Sequence, residues 1–251
     1  MFTRISDRYQ NSTAIVIGAG GIGGAIVQLL SGHVSKLVVG DRDQRLLDAL
    51  APQVGTELIR RRIDVSDAAS VREFFAYCSQ EVGSPQFLFY TAGILNLESL
   101  ADTTPALWET AVDVNLNGAF YCTHAAMDLM IPQKQGSILL LGSIAGTRAR
   151  SGSRVNPVYN TTKAAVSAFV NAAAMQLRPH GVRINCISPG PTATAMMDLQ
   201  PKPVHAAISE IALDRRQNTP AEVAELALFV AAHGRFTGED LGLGGGAGLG
   251  G

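Results

Sequence analysis

Residues 13–23 read Thr-Ala-Ile-Val-Ile-Gly-Ala-Gly-Gly-Ile-Gly, and this stretch decides the fold. Its four consecutive apolar residues, 14–17, are typical of a strand that is covered on both faces. The glycines that follow permit a tight turn before the helical segment begins. The stretch therefore predicts a strand over Thr13–Ile17, a glycine turn, and a helix over Gly21–Leu30.

The same alternation of apolar runs and helical segments continues along the chain. Further strands are predicted over residues 36–40, 58–63, 86–90, 137–141 and 183–187. Further helices are predicted over 44–50, from a cap at Ser66 or Asp67 to about 82, over 105–130, Pro157–Leu177, and 221–232 behind Thr219 and Pro220. Because strands joined through helices form right-handed crossovers, we expect an α/β protein. Its sheet would be a doubly wound parallel one (a Rossmann fold) of about seven strands, with helices on both faces.

The ends of the chain differ in composition from the rest. No linker divides the sequence internally, so a single domain over residues 1–251 is predicted. Residues 1–12 are polar, and residues 242–251 contain seven glycines. We expect the glycine-rich end, above all residues 247–251, to be mobile.

The overall composition argues against several classes of function. Twenty basic and 21 acidic side chains give a net charge of −1, so neither nucleic acid nor a membrane is an expected partner. No apolar run is long enough to span a membrane, and residues 1–10 lack the apolar core of a signal peptide. Cys78, Cys122 and Cys186 lie far apart, and the five histidines show no ligand spacing. The sequence thus predicts no disulfide, no metal site, and a cytoplasmic location.

The glycine turn is followed by an acidic residue at the distance expected for a dinucleotide site. Residues 18–23 have the spacing G-x-G-x-x-G, which lets a pyrophosphate approach the N-terminus of a helix. Asp41 ends the second strand, where it can bind a ribose 2′-hydroxyl and would repel a 2′-phosphate. Arg42 can stack on adenine or bind such a phosphate, and Asp64 can contact adenine or simply cap the next helix. Because the turn contains neither Lys nor Arg, NAD is favoured over NADP.

Tyr159 and Lys163 are four residues apart in a predicted helix, so their side chains lie on one face. A phenol with an ordinary pKa of about 10 must lose its proton near neutral pH to act as a general base. A neighbouring ammonium favours the phenolate. The pair is therefore a candidate acid/base site, or else a surface pair on an alanine-rich helix.

Together with other motifs in order, these residues resemble the short-chain dehydrogenase/reductase family over nearly the whole chain. The motifs are Gly21-Ile22-Gly23, Asp64-Val65, Ala92-Gly93, Val114-Asn115-Leu116, residues 136–138 and 143–146, Tyr159 to Ala164, Arg183 to Gly190, and Phe236-Thr237-Gly238. Their number and order identify the chain as a member.

The resemblance implies a role for each matching residue. Ser143 would hydrogen-bond the reacting oxygen of the substrate, and Tyr159 would be the acid/base. Lys163 would lower the pKa of Tyr159 and hold the nicotinamide ribose, and Asn115 would hold a water in a proton relay. The implied cofactor contacts are Gly18, Gly20, Gly21, Ile22, Gly23, Asp41, Arg42, Asp64, Val65, Ala92, Gly93, Tyr159, Lys163, Pro189, Gly190, Thr192 and Thr194. Among these, Pro189 and Gly190 would shape the nicotinamide pocket, and Thr194 would bind the carboxamide.

The sequence departs from the family pattern in four places. The glycine turn is one residue shorter and has Ile17 where the family has Thr. Tyr90 and Thr91 replace two asparagines; Thr91 can keep one hydrogen bond, whereas Tyr90 cannot copy an amide. The interval 143–159 is longer by a few residues, and residues 244–246 lack the family's Asp.

The substrate side is predicted to lie in the 143–159 loop and in a lid over residues 195–217. Arg148, Arg150 and Arg154 in the loop can receive a carboxylate or phosphate, or form a solvated or subunit-contacting surface. The lid contains Pro201 and Pro203, and His205 is a possible substrate contact. The lid is short, which favours a small or medium secondary alcohol.

The leading hypothesis is an NAD-dependent oxidoreductase that interconverts a secondary alcohol and its ketone. Cyclic and acidic alcohols are included. One alternative is an NADPH-dependent ketoreductase of the 3-oxoacyl type, for which Asp41 is the wrong residue. Another is a nucleotide-binding sensor or scaffold without catalysis, motivated by the altered Tyr90-Thr91 and glycine spacing. The resemblance also implies a homotetramer, with a dimer as the alternative, in which residues 172–174 would let the second long helix approach its mate.

Overall fold

The computed structural model describes residues 6–51, 54–147, 156–200, 210 and 212–247. Its centre is a parallel sheet of seven strands in the order β3-β2-β1-β4-β5-β6-β7. The strands are β1 (Thr13–Ile17), β2 (Lys36–Asp41), β3 (Glu57–Arg62), β4 (Phe87–Tyr90), β5 (Gly136–Leu141), β6 (Val182–Pro189) and β7 (Asp240–Leu243). The predicted doubly wound parallel sheet is confirmed.

Helices connect the strands across both faces of the sheet. They are α1 (Gly21–Leu30), α2 (Gln44–Asp48), α3 (Ala68–Tyr77), α4 (Pro105–Val112), α5 (Gly118–Met130), α6 (Ile144–Thr147), α7 (Pro157–Leu177), α8 (Ala195–Asp198) and α9 (Pro220–Ala232). Short 3₁₀ turns follow α5 (Ile131–Gln133) and α7 (Arg178–His180). No helix in the described part of the chain is long and apolar enough to cross a membrane.

The alternating side chains of the central strands build two cores. Ile15 and Leu88 face a core that also contains α3, α5 and α7, whereas Val16 and Phe89 face the core that contains α1 and α9. Every residue of β5 is buried, as expected for a parallel strand covered on both faces. The continuous apolar runs in the sequence therefore arise because both faces of these strands are packed.

Two predicted helices contain π-helical turns that the sequence analysis did not anticipate. The stretch 105–130 is helical, but a π-turn at Asp113–Asn117 separates α4 from α5. A second π-turn, Cys78–Val82, extends α3 to the predicted end near residue 82. Of the two candidate caps for α3, Asp67 is the one that accepts a hydrogen bond, from the Ala69 amide.

The ends of the described chain pack against the rest of the fold. Tyr9 lies in the polar segment 1–12, yet its ring is buried and its hydroxyl donates to the Leu228 carbonyl at 2.7 Å. Gly242 lies in β7, an edge strand that the sequence analysis missed, and Ala247 is fully buried. The edge of β6 supplies backbone partners for residues 240–243, and the expected mobility of the glycine-rich end stays a prediction. Residues 248–251 lie outside the described part of the chain.

Strand order places a crevice beside β1. The chain runs from β1 to β2 and β3 on one side, and then crosses to β4 on the other side of β1. At such a reversal the loops leave the carboxyl ends of β1 and β4 in opposite directions, which opens the usual ligand crevice of α/β sheets.

Candidate active site

A cavity of about 570 Å³ opens at the carboxyl ends of the central strands. Its wall brings together most of the residues that the sequence analysis singled out: Gly18, Gly20, Gly21, Ile22, Asp41, Arg42, Asp64, Val65, Ala92, Gly93, Ser143, Tyr159, Lys163, Pro189, Gly190, Thr192 and Thr194. Two predicted residues, Gly23 and Asn115, do not line it and lie behind its wall.

The glycine turn is held in a form that leaves no room for side chains on its inner side. Gly18 has a φ of +100°, and a Cβ on it would lie 2.7 Å from the Thr91 hydroxyl. A Cβ on Gly23 would lie 1.8 Å from the Gly18 carbonyl oxygen, so this glycine serves close packing of the helix on the turn. The shortened turn therefore keeps the general dinucleotide-binding form, with the free N–H groups of the first turn of α1 at the cavity.

Thr91 ties the glycine turn to β4. Its hydroxyl lies 2.9 Å from the Ile17 carbonyl oxygen and 3.0 Å from the Gly18 carbonyl oxygen, and its one hydrogen is shared between the two. The predicted single hydrogen bond of Thr91 is therefore present, and it acts on the backbone of the turn.

The Asp41 carboxylate lies between the glycine turn and the start of α2. One oxygen accepts from the Ala19 amide at 2.7 Å, and the other accepts from the Asp43 amide at 2.8 Å. Each carboxylate oxygen still has a lone pair for a further donor. These bonds fix the orientation of Asp41 at the cavity, with the exposed Arg42 beside it.

Asp64 lines the cavity and accepts hydrogen bonds in the turn before α3, whereas the cap of α3 is Asp67; contact with adenine stays a prediction. Its carboxylate accepts from the Ser66 hydroxyl at 2.6 Å and from the Ser66 amide at 3.0 Å. The serine hydroxyl is the main reason why the pKa of Asp64 lies below its ordinary value.

Helix α7 presents Tyr159 and Lys163 to the cavity. Asn156 is the N-cap of α7, and its side-chain oxygen accepts from the Tyr159 amide at 2.9 Å. Lys163 lies one turn further along and is almost completely buried, with its Nζ 2.8 Å from the Leu141 carbonyl, to which it donates. Burial lowers the pKa of Lys163 to about 8. Its ammonium lies 5.8 Å from the centre of the Tyr159 ring.

The Tyr159 hydroxyl meets the end of β5. Burial raises the pKa of Tyr159 above its ordinary value, and a hydrogen bond with the Ser143 side chain opposes that rise. Ser143 itself is fixed by a bond from the Ala145 amide to its Oγ at 3.2 Å. The structure thus assembles a serine hydroxyl, a phenol and a buried ammonium from two different elements, which is an arrangement able to move a proton to or from a bound hydroxyl or carbonyl.

Asn115 is fully buried in the π-turn between α4 and α5. Its side-chain oxygen accepts from the Ile94 amide at 2.8 Å. Its side-chain nitrogen donates to the Ile94 carbonyl at 3.0 Å and to the Thr162 hydroxyl at 3.1 Å. The amide group therefore braces the wall of the cavity, and the expectation that it holds a water stays a prediction.

The far wall of the cavity is formed by the segment after β6. A Cβ on Gly190 would lie 2.9 Å from the Gly244 Cα, so the glycines of residues 244–246 pack where the family's Asp was expected. The Thr192 hydroxyl donates to the Gly190 carbonyl at 2.9 Å. Thr194 faces the glycine turn, since a Cβ on Gly21 would lie 2.9 Å from its methyl group.

Several residues of the cavity wall were not predicted from the sequence. They are apolar or amide side chains: Leu46, Ile94, Leu95 and Asn160. Five further wall residues lie within the predicted 143–159 loop or the predicted 195–217 lid: Ile144, Asn156, Met196, Met197 and Gln200. Asn156 carried a usable signal, since an Asn before a Pro is typical of a helix N-cap. The loop arginines Arg148, Arg150 and Arg154, and the lid residues Pro201, Pro203 and His205, lie outside the described residues. Within the described part of the chain no group of His, Cys, Asp or Glu could hold a metal ion.

Comparison with known proteins extends the similarity over almost the whole chain. A family model described as enoyl-(acyl carrier protein) reductase matches residues 17–247. The short-chain reductase protein NovJ of Streptomyces niveus is 34% identical over 250 residues, which cover 94% of this chain and 94% of that protein. An uncharacterized oxidoreductase of Staphylococcus aureus (strain USA300) is 29% identical over 221 residues, covering 87% of this chain and 90% of that protein. The crystal structure of gox2181 superposes with a TM-score of 0.89 at 28% identity, covering 98% and 99% of the two chains.

Proposed function

The chain belongs to the short-chain dehydrogenase/reductase family, and on that premise we propose that it is an NAD-dependent oxidoreductase acting on a secondary alcohol and its ketone. One observation carries the proposal: a single cavity has the glycine turn and Asp41 at one end and Ser143, Tyr159 and Lys163 at the other. A nicotinamide dinucleotide, when bound, supplies the hydride acceptor or donor.

Each member of the catalytic group has a role that follows from its surroundings. As a phenolate, Tyr159 accepts the proton of the substrate hydroxyl during oxidation, and as a phenol it donates that proton to the substrate oxygen during reduction. Ser143 donates a hydrogen bond to the same substrate oxygen, where negative charge develops. Lys163 keeps a positive charge beside that oxygen at neutral pH, since its lowered pKa of about 8 still leaves most of it protonated there.

The residues present fit a dinucleotide. Gly20 caps α1 at the cavity, and a Cβ added to it would meet only Leu46, at 3.5 Å. That opening leaves the helix N-terminus free to bind a pyrophosphate. Asp41 and Asp64 would hold the adenosine, with the nicotinamide between Lys163 and residues 189–194.

The preference for NAD rests on Asp41. Its orientation is fixed by the Ala19 and Asp43 amides, so it cannot turn away from a 2′-phosphate without breaking two hydrogen bonds. An NADPH-dependent ketoreductase of the 3-oxoacyl type is the second candidate. It is favoured by Arg42, which is exposed at the same end of the cavity, and by the acyl-carrier substrate in the description of the matching family model.

The proposed substrate is a neutral alcohol or ketone of small or medium size. Apolar side chains form the substrate side of the described wall: Ile94, Leu95, Ile144, Met196 and Met197. The charged residues of the described wall, Lys163 apart, lie at the ends of β2 and β3, where the adenosine would bind. An acidic substrate would instead depend on the loop arginines.

A parallel titration with NADH and NADPH tests the cofactor assignment. We expect NADH to bind at least about tenfold more tightly, followed by fluorescence of the reduced nicotinamide. Asp41→Ala should reduce the ratio of the affinities for NADH and NADPH. Arg42→Ala should leave the affinity for NADH nearly unchanged. Tighter binding of NADPH, lost in Arg42→Ala, would favour the ketoreductase instead.

A screen of secondary alcohols with the preferred cofactor tests catalysis. Tyr159→Phe should bind cofactor normally and lose turnover, because only the phenol oxygen is removed. A Tyr159→Phe protein that keeps its biological effect would indicate the sensor or scaffold function.

We also propose a homotetramer, with a dimer as the alternative, that uses the long helices α5 and α7. Phe120 on α5 is 45% exposed, and its ring lies edge-on to Phe169 of α7 at 6.1 Å. The expected role of residues 172–174 needs correction, because Ala174 is buried in the core of its own chain and only Ala172 is exposed. Phe120 and Phe169 together form an apolar surface across both helices that a second copy of the chain would cover.

The cytoplasm is the proposed compartment. The three cysteines, Cys78, Cys122 and Cys186, are free and buried. Unpaired thiols suit a reducing compartment.

A further inference from the structure

Tyr90 ends β4 behind the wall of the cavity. Its side chain is almost completely buried, and its hydroxyl donates to the Val114 carbonyl at 2.5 Å. Tyr90 does not line the cavity. Any effect of Tyr90 on the active site must therefore be transmitted by the residues that it contacts.

The Val114 carbonyl needs an outside donor because of the π-turn. The Gly118 amide bonds to the Asp113 carbonyl, five residues back, and the α-helical pattern of four resumes in α5. Where the hydrogen-bond spacing changes from five residues back to four, one backbone carbonyl receives no amide from the helix. That carbonyl belongs to Val114. The Tyr90 hydroxyl is thus the partner of the carbonyl that the helix leaves free, and it compensates for the break in the helical pattern.

Asn115 follows Val114 directly and carries the effect to the catalytic helix. Its side chain bonds to both backbone groups of Ile94 and to the Thr162 hydroxyl. That hydroxyl donates to the Tyr159 carbonyl at 2.9 Å. Two hydrogen bonds therefore connect the π-turn to the backbone of the proposed acid/base residue.

Two glycines show how closely this arrangement is packed. A Cβ on Gly93 would lie 3.2 Å from the Asn115 side-chain oxygen and 3.4 Å from the Lys163 Nζ. A Cβ on Gly118 would lie 2.5 Å from the Tyr90 hydroxyl oxygen. A small rotation of the π-turn would therefore move Asn115 against the wall that faces Lys163.

We propose that Tyr90 is a positioning residue of the active site: by holding the Val114 carbonyl, its hydroxyl sets the π-turn so that Asn115 locks Ile94 and Thr162 in place. The proposal rests on the proposed function for its catalytic consequence only. The hydroxyl stays a donor throughout the working pH range, because burial raises the pKa of Tyr90 well above its ordinary value.

The test compares Tyr90→Phe with Tyr9→Phe. Tyr9 is a matched control, since it is equally buried and its hydroxyl also donates to a helix carbonyl, that of Leu228 at 2.7 Å, on the other face of the sheet. Each variant removes one buried hydrogen bond and keeps the ring. We expect both to lower the melting temperature by a similar amount.

Hydrogen exchange gives the first readout, and it needs no turnover. In Tyr90→Phe the Ile94 amide, which donates to Asn115, and the amides of residues 113–118 should exchange faster by on the order of tenfold. In Tyr9→Phe they should exchange as in the wild type. Equal protection of these amides in the two variants would overturn the proposal.

Steady-state kinetics give the second readout, with active sites counted by NADH binding. Tyr90→Phe should lower kcat on the order of tenfold and change the KM for cofactor less than about twofold, because it alters position and not a direct contact. Equal kcat values for the two variants would contradict the positioning role. If the wild type oxidises no alcohol, the proposed function fails, and the exchange experiment still decides the role of Tyr90.

Gly118→Ala is a second variant that keeps the hydroxyl: its Cβ would lie 2.5 Å from the Tyr90 hydroxyl oxygen and 2.9 Å from the Val65 carbonyl oxygen, so the π-turn must move away from both. It should reproduce the faster exchange of the Ile94 amide. Unchanged exchange in a folded Gly118→Ala protein would count against the proposal.

Discussion

At the scale of single residues, two hydroxyl groups replace the pair of asparagines that the family pattern predicts. Thr91 donates to the backbone of the glycine turn, and Tyr90 donates to the backbone of the π-turn. Neither copies an amide, yet each satisfies a carbonyl beside the cavity. The substitutions therefore keep the site braced by different chemistry, which weakens the sequence-based argument for a lost catalytic function.

The Ser143 hydroxyl is expected to set the pH at which the enzyme oxidises alcohols. Its bond to Tyr159 lowers the phenol pKa against the effect of burial. Ser143→Ala should therefore raise the apparent pKa of kcat/KM for oxidation and cut the rate about 100-fold near neutral pH. The measurement is a pH profile between 6 and 10, with Ser143→Thr as the variant that keeps a hydroxyl. If kcat/KM fell while its apparent pKa stayed the same, the bond with Ser143 would not control the pKa of Tyr159.

Lys163 is expected to make folding stability depend on pH. Its pKa is about 8 when folded and 10.5 as an ordinary lysine, so between these values the unfolded chain holds the proton more tightly. The free energy of unfolding should therefore rise with pH across this window. Relative to Lys163→Met, the wild type should gain about 2 kcal/mol between pH 8 and pH 10. Urea unfolding of both proteins at the two pH values measures the difference. If the free energy of unfolding changed with pH equally in both proteins, the lowered pKa of buried Lys163 would be contradicted.

At the scale of elements, helix caps place the functional side chains. The Asn156 side chain fixes the start of α7, and so decides that Tyr159 and Lys163 leave the helix toward the cavity. The π-turn Asp113–Asn117 shifts the face of the helix so that Asn115 points into the core. Helix boundaries and one irregular turn therefore determine which side chains reach the site.

The capping box of α9 offers a test at this scale. The Thr219 hydroxyl accepts from the Glu222 amide at 3.2 Å, and the Glu222 carboxylate accepts from the Thr219 amide at 2.7 Å. Thr219→Ala should lower the free energy of unfolding by about 1 kcal/mol. Thr219→Ser, which keeps the acceptor, should lose less than half as much. Chemical denaturation measures both, and equal losses would mean that the methyl group and not the cap is responsible.

At the scale of the whole molecule, the last strand joins the site to the C-terminal segment. Asn185 of β6 bonds through its side chain to the Phe236 carbonyl and the Glu239 amide, which brings β7 alongside β6. At the end of β7 the Leu243 carbonyl accepts from the Gly190 amide, and beyond β7 Ala247 reaches the wall of the cavity. The end of the sheet and the cavity are therefore built by the same residues.

The exposed aromatic residue on α5 is expected to hold the subunits together. Phe120→Glu would place a charge in the proposed contact between long helices and should reduce the molecular mass in solution to that of a smaller assembly. Light scattering coupled to size exclusion measures it. Val54→Glu, at a fully exposed position before β3 and outside the long helices, is a control for added charge. A wild-type protein that is already monomeric would contradict the assembly.

Features that depend on neighbours along the chain could be predicted from the amino-acid sequence. Residues 13–23 were enough for β1, the glycine turn and α1, because apolar period and glycine placement act locally. The four-residue spacing of Tyr159 and Lys163 was enough to put them on one helix face. The positions of β1 to β6 followed to within two residues, whereas β7, a short edge strand in a glycine-rich segment, did not follow from the sequence.

Only the tertiary structure decided the features that depend on contacts between distant residues. The bond of Asp41 to Ala19, the meeting of Ser143 with Tyr159, and the partner of Tyr90 all join separate elements. The glycine-rich C-terminal segment is a further example. Its composition favours mobility, whereas the free edge of β6 offers it backbone hydrogen bonds. Composition indicates how a segment behaves in isolation. In the folded protein, a sheet edge or a buried carbonyl provides a hydrogen-bond partner, and the segment then adopts a different structure.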